Sequence, residues 1–275
     1  MTLLHAFVLG IVQGLTEFIP VSSTAHLLVV ERILGLPSDG RMFSFSIIVQ
    51  LGTVLALIAF FWRDIWRIAE AFLLGILHRK PFENLHARLG WLVLVATLPA
   101  LVAGFLLKDV VHIMFEDSLL QAGIRLLITA VLLAAVELLD KRQRRLESAT
   151  WLDALSVGLF EMLAIFPGAS RSGSTIAGGM IRGFDRPEAA RFAFLMSAPI
   201  LLAAGGYESF KVIEMPGTHA FVPYLATGFV TSAVVGWFAI RWLIDYLGKR
   251  SLYLFAAYCA VLGMILMVVA FSKGT

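Results

Sequence analysis

The chain has 275 residues, 59% of them hydrophobic and 15% charged, with a mean hydropathy of +0.87. A soluble domain averages about 45–50% apolar and about 25% charged, so these figures exclude an ordinary soluble fold and point to a helical integral membrane protein with long, unbroken apolar runs. The single cysteine, Cys259, excludes an internal disulfide and a multi-cysteine metal site; a net charge of +3, with the basic residues in loops, argues for membrane orientation and against nucleic-acid binding.

The N-terminus lacks the basic n-region of a cleavable signal peptide. Residues 2–19 are apolar but end at Glu17 and Pro20, and proline lacks the N–H that a continuing helix needs. Residues 27–35 are too short to span, so the two pieces predict a helical hairpin that enters the membrane and turns back. Six stretches are long enough to cross, at 43–62, 89–107, 118–139, 190–210, 221–243 and 252–271; a hydrocarbon core of roughly 30 Å requires about 20 residues. Residues 63–88 read as a basic loop. Residues 153–181 repeat the opening theme, with Glu161 in an apolar helix, a break at Pro167 and a Ser/Gly-rich return. Pro99 and Pro199 predict helix kinks. Gln50 and Arg125 read as helix–helix glue or cavity lining.

The loops set an orientation. Arg63, Arg67, Arg79, Lys80 and Arg88 follow the first span, Lys141, Arg142, Arg144 and Arg145 the third, and Lys249 and Arg250 the fifth; Arg182, Arg186 and Arg191 precede the fourth. Lys/Arg-rich loops are cytoplasmic. All of them agree if the first hairpin dips in from outside and the second from inside, although Arg32 and Arg41 run against the scheme. One hairpin from each side is the sign of an inverted repeat. Gly10, Gln13, Phe18, Pro20 and Ser23 match Gly158, Glu161, Phe166, Pro167 and Ser170 across a one-residue gap. The expected fold is an all-α polytopic membrane protein of six transmembrane helices plus two re-entrant hairpins. Residues 1–140 form the first repeat, 141–150 a basic cytoplasmic linker and 151–275 the second repeat.

Two polar stretches stand out in this apolar chain. The first, QGLTEFIPVSSTAH over 13–26, holds Gln13, Thr16, Glu17, Ser22, Ser23, Thr24 and His26. Ionisable groups inside a membrane segment mark function. Gln13 and Glu17 share a helix face and offer oxygens to a hard cation, Mg2+ or Ca2+, which a substrate phosphate would complete. Ser22 or Thr24 can serve merely as a helix cap. Ser23 and His26, three apart, can meet on one helical turn, and a serine needs a base, imidazole or carboxylate, to become a nucleophile. The second, PGASRSGST over 167–175, has the makeup of a phosphate cradle. Its glycines admit close backbone approach, Ser170, Ser172, Ser174 and Thr175 carry hydroxyls, and Arg171 supplies a planar cationic fork. Glu161 reads as an echo of Gln13 or a partner of Arg171.

On these two motifs, and over nearly its whole length, the chain resembles the undecaprenyl-diphosphate phosphatase family, the bacitracin-resistance type of bacterial inner-membrane enzymes. The resemblance implies hydrolysis of C55 isoprenyl diphosphate to the monophosphate, which recycles the lipid carrier of wall synthesis. It also implies an inverted-repeat fold whose active site opens to the periplasmic side. By position it gives Glu17 to the metal and acid/base group, Ser23 as nucleophile, His26 as an assistant and Arg171 to the diphosphate, with Ser170, Ser172 and Thr175 completing the cradle. Gln13 stands where many relatives have glutamate, which shifts weight onto Glu17. The implied partners are the isoprenyl diphosphate and membrane lipids; the oligomeric state is open, a homodimer included. A rival reading is a transporter that flips a polyprenyl phosphate held in the same cradle, since broken hairpins in inverted repeats are also a transporter architecture.

Overall fold

The computed structural model describes residues 1–37, 39–106, 118–138, 143–165, 170–214 and 218–273. The predicted Phe166–Pro167 break and the Pro167–Ala169 part of the second motif lie outside them. The described residues form eleven α-helices and two short 3-10 turns, with no strand. In chain order the helices are α1 Leu3–Thr16, α2 Ser23–Ile33, α3 Gly40–Phe60, α4 Trp62–Leu77, α5 Leu85–Leu106, α6 Leu119–Glu137, α7 Trp151–Met162, α8 Arg171–Ile181, α9 Arg186–Glu214, α10 Thr218–Leu247 and α11 Tyr253–Lys273.

Side-chain oxygens written into the sequence start these helices. Thr2 accepts the His5 N–H ahead of α1, Asp39 accepts the Arg41 and Met42 N–H groups ahead of α3, and Ser170 accepts the Gly173 N–H ahead of α8. Thr150 and Asp153 close a reciprocal capping box on α7. Helices α3, α5, α6, α10 over Phe221–Leu247 and α11 over Tyr253–Ser272 are long and apolar enough to cross a membrane, so the chain is a polytopic membrane protein. Helix α9, with 29 residues, carries the sixth expected stretch. Pro99 and Pro199 lie inside α5 and α9.

One expectation needs correcting. Residues 63–88, read as a loop, contain α4. Its Trp62, Trp66, Leu73 and Leu77 are exposed, and Arg63, Asp64, Arg67 and Glu70 interrupt the apolar run. An amphipathic 16-residue helix is too short and too charged to register as a span.

The two halves interlock. Helix α1 packs along α10, α10 along α3, α7 against α5, and α11 against α6. Glycines allow the closest approaches. A Cβ on Gly10 of α1 would lie 2.8 Å from the Gly228 carbonyl oxygen of α10, and one on Gly158 of α7 would collide with the Ala96 carbonyl of α5. Thus α1 and α7 each lie against a helix distant from them in sequence.

Ion pairs gather the basic loops at one end. Arg144 and Arg182 both bond the fully buried Asp153, at 2.6 and 2.7 Å, and Thr150 adds its hydroxyl at 2.8 Å. Arg186 grips Glu137 through two bonds of 2.8 and 2.7 Å, Glu137 also accepts the Leu252 N–H, and Arg191 pairs with Asp64 at 2.9 Å.

Candidate active site

The turn between α1 and α2 meets the start of α8. Phe18 anchors the turn in the core, edge-on to Phe194 at 5.4 Å. The Ser172 hydroxyl donates to the Ile19 carbonyl at 3.3 Å, and a Cβ on Gly173 would touch Pro20 at 3.4 Å. The two polar stretches, joined by bonds that span 153 and 154 residues, therefore share one site.

Glu17 is its centre. The carboxylate is 6% exposed and receives four donors from four elements. Its Oε2 accepts from Gln13 Nε2 at 2.8 Å and from Ser23 Oγ at 2.7 Å. Its Oε1 accepts from the Arg171 guanidinium and, at 3.4 Å, from Gln50 Nε2. The Glu17–Arg171 pair is an ion pair joining the two motifs. Chemically, a hydroxyl already donating to a carboxylate can pass its proton there, and a guanidinium at the N-terminus of α8 suits an anion.

His26 does not meet Ser23 as its spacing allows. Its Nδ1 faces the Ser22 carbonyl oxygen at 2.7 Å and its Nε2 faces the Tyr258 hydroxyl at 2.7 Å. The reason is the cap: Ser22, at φ 68°, is the N-cap of α2 and turns its carbonyl toward the imidazole. Of the remaining residues, Ser22 Oγ accepts the Ala25 N–H at 3.4 Å and contacts the exposed Thr24. In the second motif, Ser170 caps α8, Thr175 donates to its own helix at the Arg171 carbonyl at 2.8 Å, and Ser174 is buried. The hydroxyls thus shape the α8 start as much as they line it.

Sequence reasoning left Gln50 open between glue and cavity lining, and it missed Tyr258. Gln50 reaches Glu17 from α3, and Tyr258 reaches His26 from α11. Each is one polar residue in an apolar run, and only tertiary packing tells such a residue from interhelical glue. Glu161 of α7 is 2% exposed, and neither carboxyl oxygen has a hydrogen-bond partner among the described residues.

The comparisons with known proteins cover the whole arrangement. Residues 6–265 match the family described as bacitracin resistance protein BacA. The chain is 40% identical over 274 residues to a protein of Chloroherpeton thalassium named undecaprenyl-diphosphatase, covering 97% of this chain and 96% of that one. A protein of the same name from Anaeromyxobacter dehalogenans is 44% identical over 273 residues, covering 97% and 92%. One from Myxococcus xanthus is 40% identical over 268 residues, covering 98% and 89%. With both motifs in one site and a family match over nearly its full length, the chain belongs to the bacitracin resistance protein BacA family.

Proposed function

We propose that the protein hydrolyses undecaprenyl diphosphate to undecaprenyl phosphate and inorganic phosphate, so recycling the lipid carrier of bacterial wall synthesis. The observation that carries this reading is the Ser23–Glu17–Arg171 cluster, in which a nucleophile and an anion clamp converge on one carboxylate base. Its relatives' shared name, undecaprenyl-diphosphatase, supplies the substrate.

Ser23 Oγ attacks the terminal phosphorus, and its proton passes to Glu17 Oε2. The bond from that phosphorus to the bridging oxygen breaks, and the lipid monophosphate leaves with the electron pair. Water, deprotonated by a base, then attacks the phosphoserine; the P–Oγ bond breaks, inorganic phosphate leaves and Ser23 regains a proton. Arg171 stabilises charge on the non-bridging oxygens, the main demand of phosphoryl transfer. The imidazole of His26, occupied at both nitrogens, orders the backbone beside Ser23.

The Glu17 carboxylate, the Ser23 hydroxyl and the amide oxygens of Gln13 and Gln50 are the donor types a hard cation takes, and the two amides, which here turn Nε2 to Glu17, would have to present their oxygens instead. These residues fit Mg2+ or Ca2+, which when bound would neutralise phosphate charge. We infer further that residues 1–140 and 151–275 are inverted repeats joined by 141–150, each with a re-entrant hairpin and three spans. The crossed packing of α1 on α10 and of α7 on α5 supports this. The ion-paired basic end would then be cytoplasmic and the site would open to the periplasmic side.

The test is phosphate release from an isoprenyl diphosphate by purified protein in detergent. Ser23→Ala should nearly abolish release, and EDTA should stop it until Mg2+ or Ca2+ is restored. A Ser23→Ala protein with most of its activity would move the attack to water. A wild-type protein that binds the lipid and releases no phosphate would favour the transporter reading.

A further inference from the structure

The imidazole of His26 is held from both sides. A carbonyl only accepts, so the Nδ1 facing the Ser22 oxygen at 2.7 Å carries the proton. In the neutral ring Nε2 is then the acceptor, and the Tyr258 hydroxyl, 2.7 Å away, donates to it. The two rings lie 11° from parallel with centroids 5.6 Å apart. Neither nitrogen is left for Ser23, whose hydroxyl turns to Glu17.

This chain of contacts ends on a strained residue. Ser22 sits at φ 68° and ψ 98°, a left-handed conformation that a non-glycine residue keeps only where its surroundings hold it. It is the N-cap of α2, and Ser23 is the first residue of that helix. The direction of the Ser22 carbonyl and the placement of Ser23 are therefore one backbone event. The His26 N–H fixes the carbonyl, and Tyr258 fixes His26.

Tyr258 comes from α11, far from both motifs in sequence. The following residue, Cys259, is fully buried and donates its thiol to the Pro20 carbonyl at 3.7 Å. Helix α11 therefore braces the α1–α2 turn at two successive positions. The start of α8 has a brace of its own, because the Ser170 N–H donates to the Thr129 hydroxyl of α6 at 3.5 Å. The last helix of each half steadies the hairpin of the other.

We propose that Tyr258 is a positioning residue for the hydrolysis: through His26 and the Ser22 carbonyl, its hydroxyl holds the backbone that presents Ser23 to Glu17. The proposal rests on the reading of Ser23 as nucleophile given above. Tyr258 acts through His26 alone, so its effect must vanish when the imidazole is gone.

The test is a double-mutant cycle on phosphate release, comparing wild type, Tyr258→Phe, His26→Ala and the double variant, with kcat and KM separated and each melting temperature measured. Tyr258→Phe keeps the ring and removes one oxygen at a half-exposed site. It should lower kcat roughly five- to tenfold, as the loss of one hydrogen bond does, with KM and melting temperature near wild type. The double variant should be no slower than His26→Ala. Wild-type kcat in Tyr258→Phe, or losses that multiply in the double variant, would overturn the role. Absence of phosphate release from the wild type would instead overturn the reaction itself, and the positioning role with it.

Discussion

Among the described residues Glu17 receives four donors and Glu161 receives none, although both carboxyls are buried. A buried carboxyl without a hydrogen bond costs stability, so Glu161→Met, which keeps the volume and removes the polar group, should raise the melting temperature in detergent by a few degrees. An unchanged or lower value would show that the carboxyl is satisfied in a way its geometry does not reveal. Arg171 is tied down by shape as much as by charge. Its planar fork can serve a carboxylate and a phosphate together, whereas an ammonium is a single point charge. Arg171→Lys should therefore cut kcat/KM on the isoprenyl diphosphate about 100-fold, or roughly 3 kcal/mol of transition-state stabilisation. Near-normal kinetics would mean that charge alone suffices.

At the scale of elements, legibility followed chemistry that is local in the chain. Pro20 lies in the turn that follows α1, whereas Pro99 and Pro199 sit inside helices, and Thr2, Asp39, Thr150 and Ser170 cap helices through bonds spanning two or three residues. The turn after Glu17 could be read for that reason. The α4 helix was hidden because its charges broke the apolar run, and the partner of His26 was hidden because it lies 232 residues away. Glycine spacing belongs to the second kind, since its meaning appears only once the neighbouring helix is known. Gly158 illustrates this: a side chain there would run into the backbone oxygen of Ala96, which cannot swing aside, whereas Gly40 faces open space. Gly158→Leu should therefore force α7 from α5 and sharply lower both the melting temperature and the yield of folded protein, while Gly40→Ala should leave them unchanged. Equal behaviour of the two variants would contradict the close α5–α7 contact.

At the scale of the whole molecule, the Lys/Arg-rich loops reappear as one ion-paired end, away from the Glu17–Arg171 site in the chain's wiring but joined to it through α7 and α8. The charge count of each loop was visible in the sequence; which arginine meets which acid was not, because Arg144, Asp153 and Arg182 come from three separate segments. Asp153 is the hub. Burial pushes its carboxyl up, but hydrogen bonds from Arg144, Arg182 and Thr150 outweigh that and hold it well below the usual carboxylate range. A carboxyl depressed in the folded state contributes stability that is present above the unfolded value of about 4 and is lost as pH falls toward the folded one. Asp153→Asn should cost about 3 kcal/mol at neutral pH, the low end for a broken buried pair, because Arg144 and Arg182 are themselves 33% and 37% exposed and partly screened. Its melting temperature should also fall less steeply than that of the wild type between about pH 5 and about pH 2. Parallel slopes for the two proteins in thermal melts would show that some other carboxylate sets the acid limit, and that the basic end is held together by groups other than Asp153.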